Sequence, residues 1–88
     1  MCQLLGFARA KGFISLDCSP YEGAFREANR LRIRDASGEI LVIKDFVVEE
    51  QRNCFSDTPP TPWIVLTKEI PEVFLKTGNE LELYTEAV

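Results

Sequence analysis

Histidine is absent from this chain. That removes the Ser-His-Asp and Cys-His arrangements, the imidazole general base and the His-containing zinc sites together. Cysteine is scarce: Cys2, Cys18 and Cys54 are an odd number with no C-x-x-C pair, which signals neither a disulfide framework nor a zinc ribbon. No metal and no cofactor are expected on this composition. A long apolar run is also missing, since no segment approaches the ~18 residues of a membrane span, and no charged leader precedes an apolar stretch. The expectation is a protein without membrane contact, in the cytoplasm, with its thiols reduced. Basic charge is the minority sign, with 10 Lys and Arg against 14 Asp and Glu, a net charge of −4 and a pI near 4.8. Binding to a phosphate backbone draws on a surplus of Lys and Arg, so a nucleic-acid partner is not expected.

The 88 residues allow one core, and a single domain over residues 1–88 is expected. A chain of this size buries only about 60 to 65% of its unfolded surface, so a partner would help it. At 45% hydrophobic and 27% charged residues the composition is that of a packed domain.

Two short apolar runs, Cys2 to Ala8 and Gly12 to Cys18, flank Ala10-Lys11-Gly12 and predict a hairpin closed by a glycine at positive φ. Ser19-Pro20-Tyr21-Glu22 then has the form of a capping box, with Pro at the first helical position. Tyr21, Ala24, Phe25 and Ala28 follow at i, i+3, i+4 and i+7, one helical stripe, so a helix is expected from Pro20 to about Asn29.

After that the period becomes two. Leu31 and Ile33 alternate with Arg30, Arg32 and Arg34, and Asp35-Ala36-Ser37-Gly38 predicts a turn. The return strand from Glu39 to Val48 is apolar on both faces and longer than usual, which predicts a bulge or bend near Lys44-Asp45. Gln51 to Pro62, with three prolines, is expected to be a loop. Trp63 to Thr67 is the next strand, Ile70 to Gly78 a short helical turn in preference to part of a final hairpin turning at Thr77-Gly78-Asn79-Glu80, and Leu81 with Leu83 the closing strand. The predicted class is α+β and strand-rich, with five to six strands in a curved antiparallel sheet or a small partly open barrel and one short helix.

Four residues are candidate binding residues. Arg30, Arg32 and Arg34 share one strand face and could grip a phosphate, a carboxylate or an acidic partner through bidentate hydrogen bonds. The alternative is that they pair with acids across the sheet and lay their stems over apolar surface. Arg26-Glu27-Ala28-Asn29-Arg30 is similar to the R-x-x-x-R pattern of PilZ domains. Asp35-Ala36-Ser37-Gly38 does not have the D-x-S-x-x-G spacing, so cyclic-dinucleotide binding is not carried over. Trp63, beside Pro59, Pro60 and Pro62, is either an aromatic anchor of a recognition loop or a core side chain under prolines.

The opening Met1-Cys2-Gln3-Leu4-Leu5-Gly6 resembles the start of class II glutamine amidotransferases. The resemblance implies removal of Met1 and a Cys2 thiol that attacks a glutamine amide, with its own amine as base. The glycine and asparagine oxyanion segment and the substrate-binding arginine of that family have no matching motif here. The alternative for Cys2 is a small buried side chain on a first strand.

The reading that weighs most is a non-enzymatic interaction module forming a homo-oligomer, a dimer foremost, with room for another protein partner. One helix cannot cover both faces of the Glu39 to Val48 strand, so Ile40, Val42 and Phe46, taken as one face, are expected at the interface. The alternative is a domain binding a small anion or nucleotide through the arginine row.

Overall fold

The first turn follows the sequence closely. The computed structural model describes residues 1–51 and 59–87, and in it β1 (Cys2–Ala10) returns as β2 (Phe13–Cys18) through Lys11 and Gly12 at φ 50° and 83°. Positive φ at both central residues is the type I′ hairpin, whose twist matches that of the strands. Five more strands follow: β3 (Arg30–Arg34), β4 (Ile40–Ile43), β5 (Phe46–Gln51), β6 (Thr61–Leu66) and β7 (Glu80–Tyr84). All pairings are antiparallel, in one open sheet of order β4-β3-β7-β1-β2-β6-β5. The count is therefore seven strands, above the five or six expected. Arg52 to Thr58, including Cys54, lies outside the described residues, as does most of the loop expected between Gln51 and Pro62.

The predicted Glu39 to Val48 strand breaks where a bend was expected, at Lys44-Asp45, and its halves become β4 and β5, the two outermost strands. Three Cα steps of 3.8 Å limit Ile43 to within ~11 Å of Phe46. The sheet must therefore curl until its edges meet at that corner. Curling brings the apolar faces of both halves into one cluster, with Leu31 and Ile33 of β3, Leu81 and Leu83 of β7, Ile14 and Leu16 of β2, and Ile64 and Leu66 of β6. Pro62 sits in β6 beyond the last β2 pairing, Leu16 with Ile64, so its missing amide costs that ladder nothing.

The helix predicted from Pro20 to Asn29 is not formed. The only helical element among the described residues is a 3-10 turn at Glu72–Leu75, following Pro71 and burying Phe74 and Leu75, so the α+β class gives way to an all-β one. The capping signal is overridden by tertiary bonds. The Ser19 hydroxyl accepts from the Gln3 amide at 2.8 Å, and the Ser19 amide donates to the Gln3 carbonyl, extending the β1 and β2 pairing instead of starting a helix. Gly23 sits at φ 106°, outside helical space. The stripe was half right about burial. Tyr21 and Phe25 are buried with their rings edge to face at 5.4 Å, whereas Ala24 is exposed.

Two side chains of this segment complete the sheet where β1 ends. β1 pairs with β7 only at Cys2 with Leu81 and Gln3 with Glu80. Beyond that reach the Tyr21 hydroxyl accepts from the Leu83 amide at 2.9 Å and donates to the Leu83 carbonyl at 3.1 Å. The Asn29 side chain does the same for Glu86, its Oδ1 accepting from the amide and its Nδ2 donating to the carbonyl. Both side chains stand in for a strand, and at Leu83, which is buried, the backbone groups would otherwise be left at a cost without partners.

Candidate functional site

The outward face of β3 carries the arginine row. Its register against β7 sets Arg30 opposite Tyr84, Arg32 opposite Glu82 and Arg34 opposite Glu80. Arg32 Nη1 lies 3.0 Å from Glu82 Oε1, and its guanidinium stacks 4.8 Å from the centroid of Tyr84. Arg30 Nε meets Glu86 at 3.0 Å and its Nη1 donates to the Asn29 carbonyl. Those two arginines are held in cross-strand pairs, with acids of β7 and of the segment after it. Arg34 is exposed and makes no ion pair among the described residues. It borders an open cleft of about 400 Å³ between the turn at Asp35 and the segment Thr77 to Glu80.

The turn beneath this cleft is rigid for a nameable reason. The Asp35 carboxylate accepts from the Ser37 hydroxyl at 2.7 Å, the Ser37 amide and the Glu39 amide. These bonds, the Ser37 hydroxyl foremost, hold the Asp35 carboxyl below its ordinary range.

Trp63 lies elsewhere. It projects from the outer face of β6, 40% exposed, with Nε1 donating to Ser15 Oγ at 2.7 Å. Three strands, β7, β1 and β2, separate it from β3, so ~19 Å of sheet lies between Trp63 and the arginines. The four candidate binding residues therefore do not form one site. Trp63 is neither a core side chain nor part of a pocket with the arginine row.

The expected interface residues divide at the bend. Ile40 and Val42 point outward from β4, 48% and 50% exposed. Phe46 instead turns inward and packs, half-buried, against the core with Leu41 and Val48. The Lys44-Asp45 corner shifts the alternation by one position, so the outward residue after it is Val47, 53% exposed. The shared face assigned to Ile40, Val42 and Phe46 is corrected to Ile40 and Val42.

Cys2 and Cys18 are buried neighbours in the core, and the hydrogen bond between their thiols, followed by burial, pushes the Cys18 thiol up. Among the described residues no His, Cys, Asp and Glu group is placed to hold a metal ion, and no helix is long and apolar enough to cross a membrane. Sequence reasoning missed Tyr21 and Asn29 as sheet-completing residues, and Glu82 and Glu86 as the arginines' partners. The alternation Glu80, Glu82 against Arg32, Arg34 carried the second signal, and nothing in the sequence carried the first. Comparison with models of protein families, with curated proteins and with solved structures gives no match, so the function is argued from this geometry alone.

Proposed function

We propose that the chain is a non-catalytic interaction module that associates with itself, foremost as a dimer, through the outward side of β4. The observation that carries this reading is the pair Ile40 and Val42, half-exposed on an outermost strand that no other described residue covers. Burying ~300 Å² of such surface between two copies contributes ~7 kcal/mol. Association costs about 4 to 15 kcal/mol in lost freedom, so the strip by itself gives at most a weak dimer and other contacts must add to it. The two buried thiols suit a reducing compartment such as the cytoplasm.

The test is the mass in solution of the wild type and of Val42→Asp. A dimer that dissociates in the variant supports the reading; a wild type that stays monomeric at every accessible concentration overturns it. A second reading, binding of a small anion, is favoured only by Arg34 beside its cleft. Thermal shift against anionic metabolites, lost in Arg34→Glu, would support it.

A further inference from the structure

This inference rests on the self-association reading and names the contact through which it occurs. We propose that two copies join edge to edge through β4, antiparallel about a two-fold axis at Leu41, so that Ile40 of one copy lies opposite Val42 of the other and the sheet runs on through both.

The direction of the backbone groups in β4 follows from one bond. The Asp35 amide donates to the Glu39 carbonyl at 3.0 Å, which makes Asp35 and Glu39 a hydrogen-bonded pair. Such pairs recur at every second position of an antiparallel ladder. Ile33 with Leu41 and Leu31 with Ile43 are therefore bonded pairs, while Arg34 with Ile40 and Arg32 with Val42 are not. The amides and carbonyls of Ile40 and Val42 point away from β3, into the free edge. The far side of β3 agrees. Leu31 spends its groups on β4, so Leu83 opposite it must bond on its other side, and there it meets the Tyr21 hydroxyl.

A second β4 in this register brings to each free group its complement. Ile40 and the partner's Val42 form a bonded pair, the symmetry repeats it, and each pair exchanges two bonds, about four in all. The same register sets the four exposed side chains, Ile40 and Val42 from both copies, in one outer patch, with Leu41 against Leu41 on the inner face. A shift of one residue would set outward side chains opposite inward ones. Glu39 comes opposite Ile43 of the other copy and Lys44 opposite Gly38, so no two like charges face each other across the contact. The arginines do not oppose the contact. Those of one copy stand about three strand spacings, ~14 Å, from those of the other, beyond the ~8 Å screening length at physiological salt, and Arg32 is paired with Glu82.

The other outermost strand is guarded where β4 is open. Thr67 bonds through its amide to the Asp45 carbonyl, so by the same alternation the amides and carbonyls of Phe46, Val48 and Glu50 point away from β6. There Arg26 of the incoming segment meets Glu50 at 3.0 Å, and Glu49 adds a second charge. Charged residues and a covering segment are the ordinary ways of blocking an edge. Between Ile40 and Ile43 there is no charge and no proline.

The test substitutes the backbone group itself. Val42→Pro in the full chain removes an amide that faces the free edge and none that bonds β3, a position where an edge strand tolerates proline. Light scattering over a concentration series should show a dimeric wild type and a folded, monomeric variant, with the dissociation constant raised at least about tenfold. Hydrogen exchange on the wild type reads the pairing whether or not the variant folds: the Ile40 and Val42 amides should be protected above the dissociation constant and exchange freely below it. A dimer whose dissociation constant is unchanged in a folded Val42→Pro, or whose Ile40 and Val42 amides exchange freely, overturns edge pairing while leaving self-association through the outer face standing. A wild type monomeric throughout overturns both.

Discussion

Removing one oxygen from Tyr21 should cost this protein a large part of its stability. In Tyr21→Phe the ring stays buried against Phe25, but the Leu83 amide and carbonyl lose the hydroxyl that bonds both, at 2.9 and 3.1 Å. Each buried backbone group left without a partner costs about 1 to 3 kcal/mol, and entry of a water would recover part of that, so the expected loss is about 2 to 4 kcal/mol. A chain of this length has roughly 4 to 13 kcal/mol in total. At about 4 to 8 °C per kcal/mol for a domain of this size, Tm should fall by about 8 to 32 °C. Urea unfolding measures the loss as a shifted midpoint with unchanged slope. The hydroxyl also predicts an alkaline signature. Burial foremost raises the Tyr21 group above its ordinary 10.0, so the stability it contributes is complete below pH 10.0 and lost as the pH rises through the higher folded value. Tyr21→Phe should lose that alkaline dependence. A loss below about 0.5 kcal/mol would refute the reasoning, because it would mean that Leu83 finds other partners readily.

The Asp35 carboxyl is held below its ordinary value of 3.8 by its bonds to the Ser37 hydroxyl and to turn amides, so its stabilisation is present above that value and lost as the pH falls through the lower folded one. Urea midpoints measured from about pH 5 to 2 should drop more steeply for wild type than for Asp35→Asn. Within the arginine row the paired Arg32 and Arg34, unpaired among the described residues, should behave differently. Arg32→Glu sets a second acid against Glu82 and removes the stacking on Tyr84, for a cost of about 1 to 2 kcal/mol by thermal unfolding, whereas Arg34→Glu should change stability by less than about 0.5 kcal/mol.

Local chemistry was legible wherever it concerned neighbours along the chain. The Lys11-Gly12 hairpin, the turn after Asp35, the bend at Lys44-Asp45 and the alternation of Leu31 and Ile33 with three arginines all depend on backbone preferences or side-chain period within a few residues. The helix from Pro20 to Asn29 failed because its signals were satisfied by distant partners: the Ser19 hydroxyl went to Gln3 and the Tyr21 hydroxyl to Leu83. Propensity in a ten-residue segment is worth a few kcal/mol at most, and completing a buried ladder outweighs it.

The candidate site divides in the same way. The sequence by itself determined that Arg30, Arg32 and Arg34 share a face and that Ile40 and Val42 do, because a strand alternates with period two. Only the tertiary structure decided that Glu82 and Glu86 occupy Arg32 and Arg30 while Arg34 is left beside its cleft. It also decided that Phe46 turns inward, and that β4 and β5, two residues apart in the chain, become opposite edges of one sheet. The strand order and the β3-to-β7 register join residues about fifty positions apart, and no local preference encodes them. They are set by an arrangement that buries the inner apolar face of each strand in a common core and gives each inner ladder its hydrogen bonds.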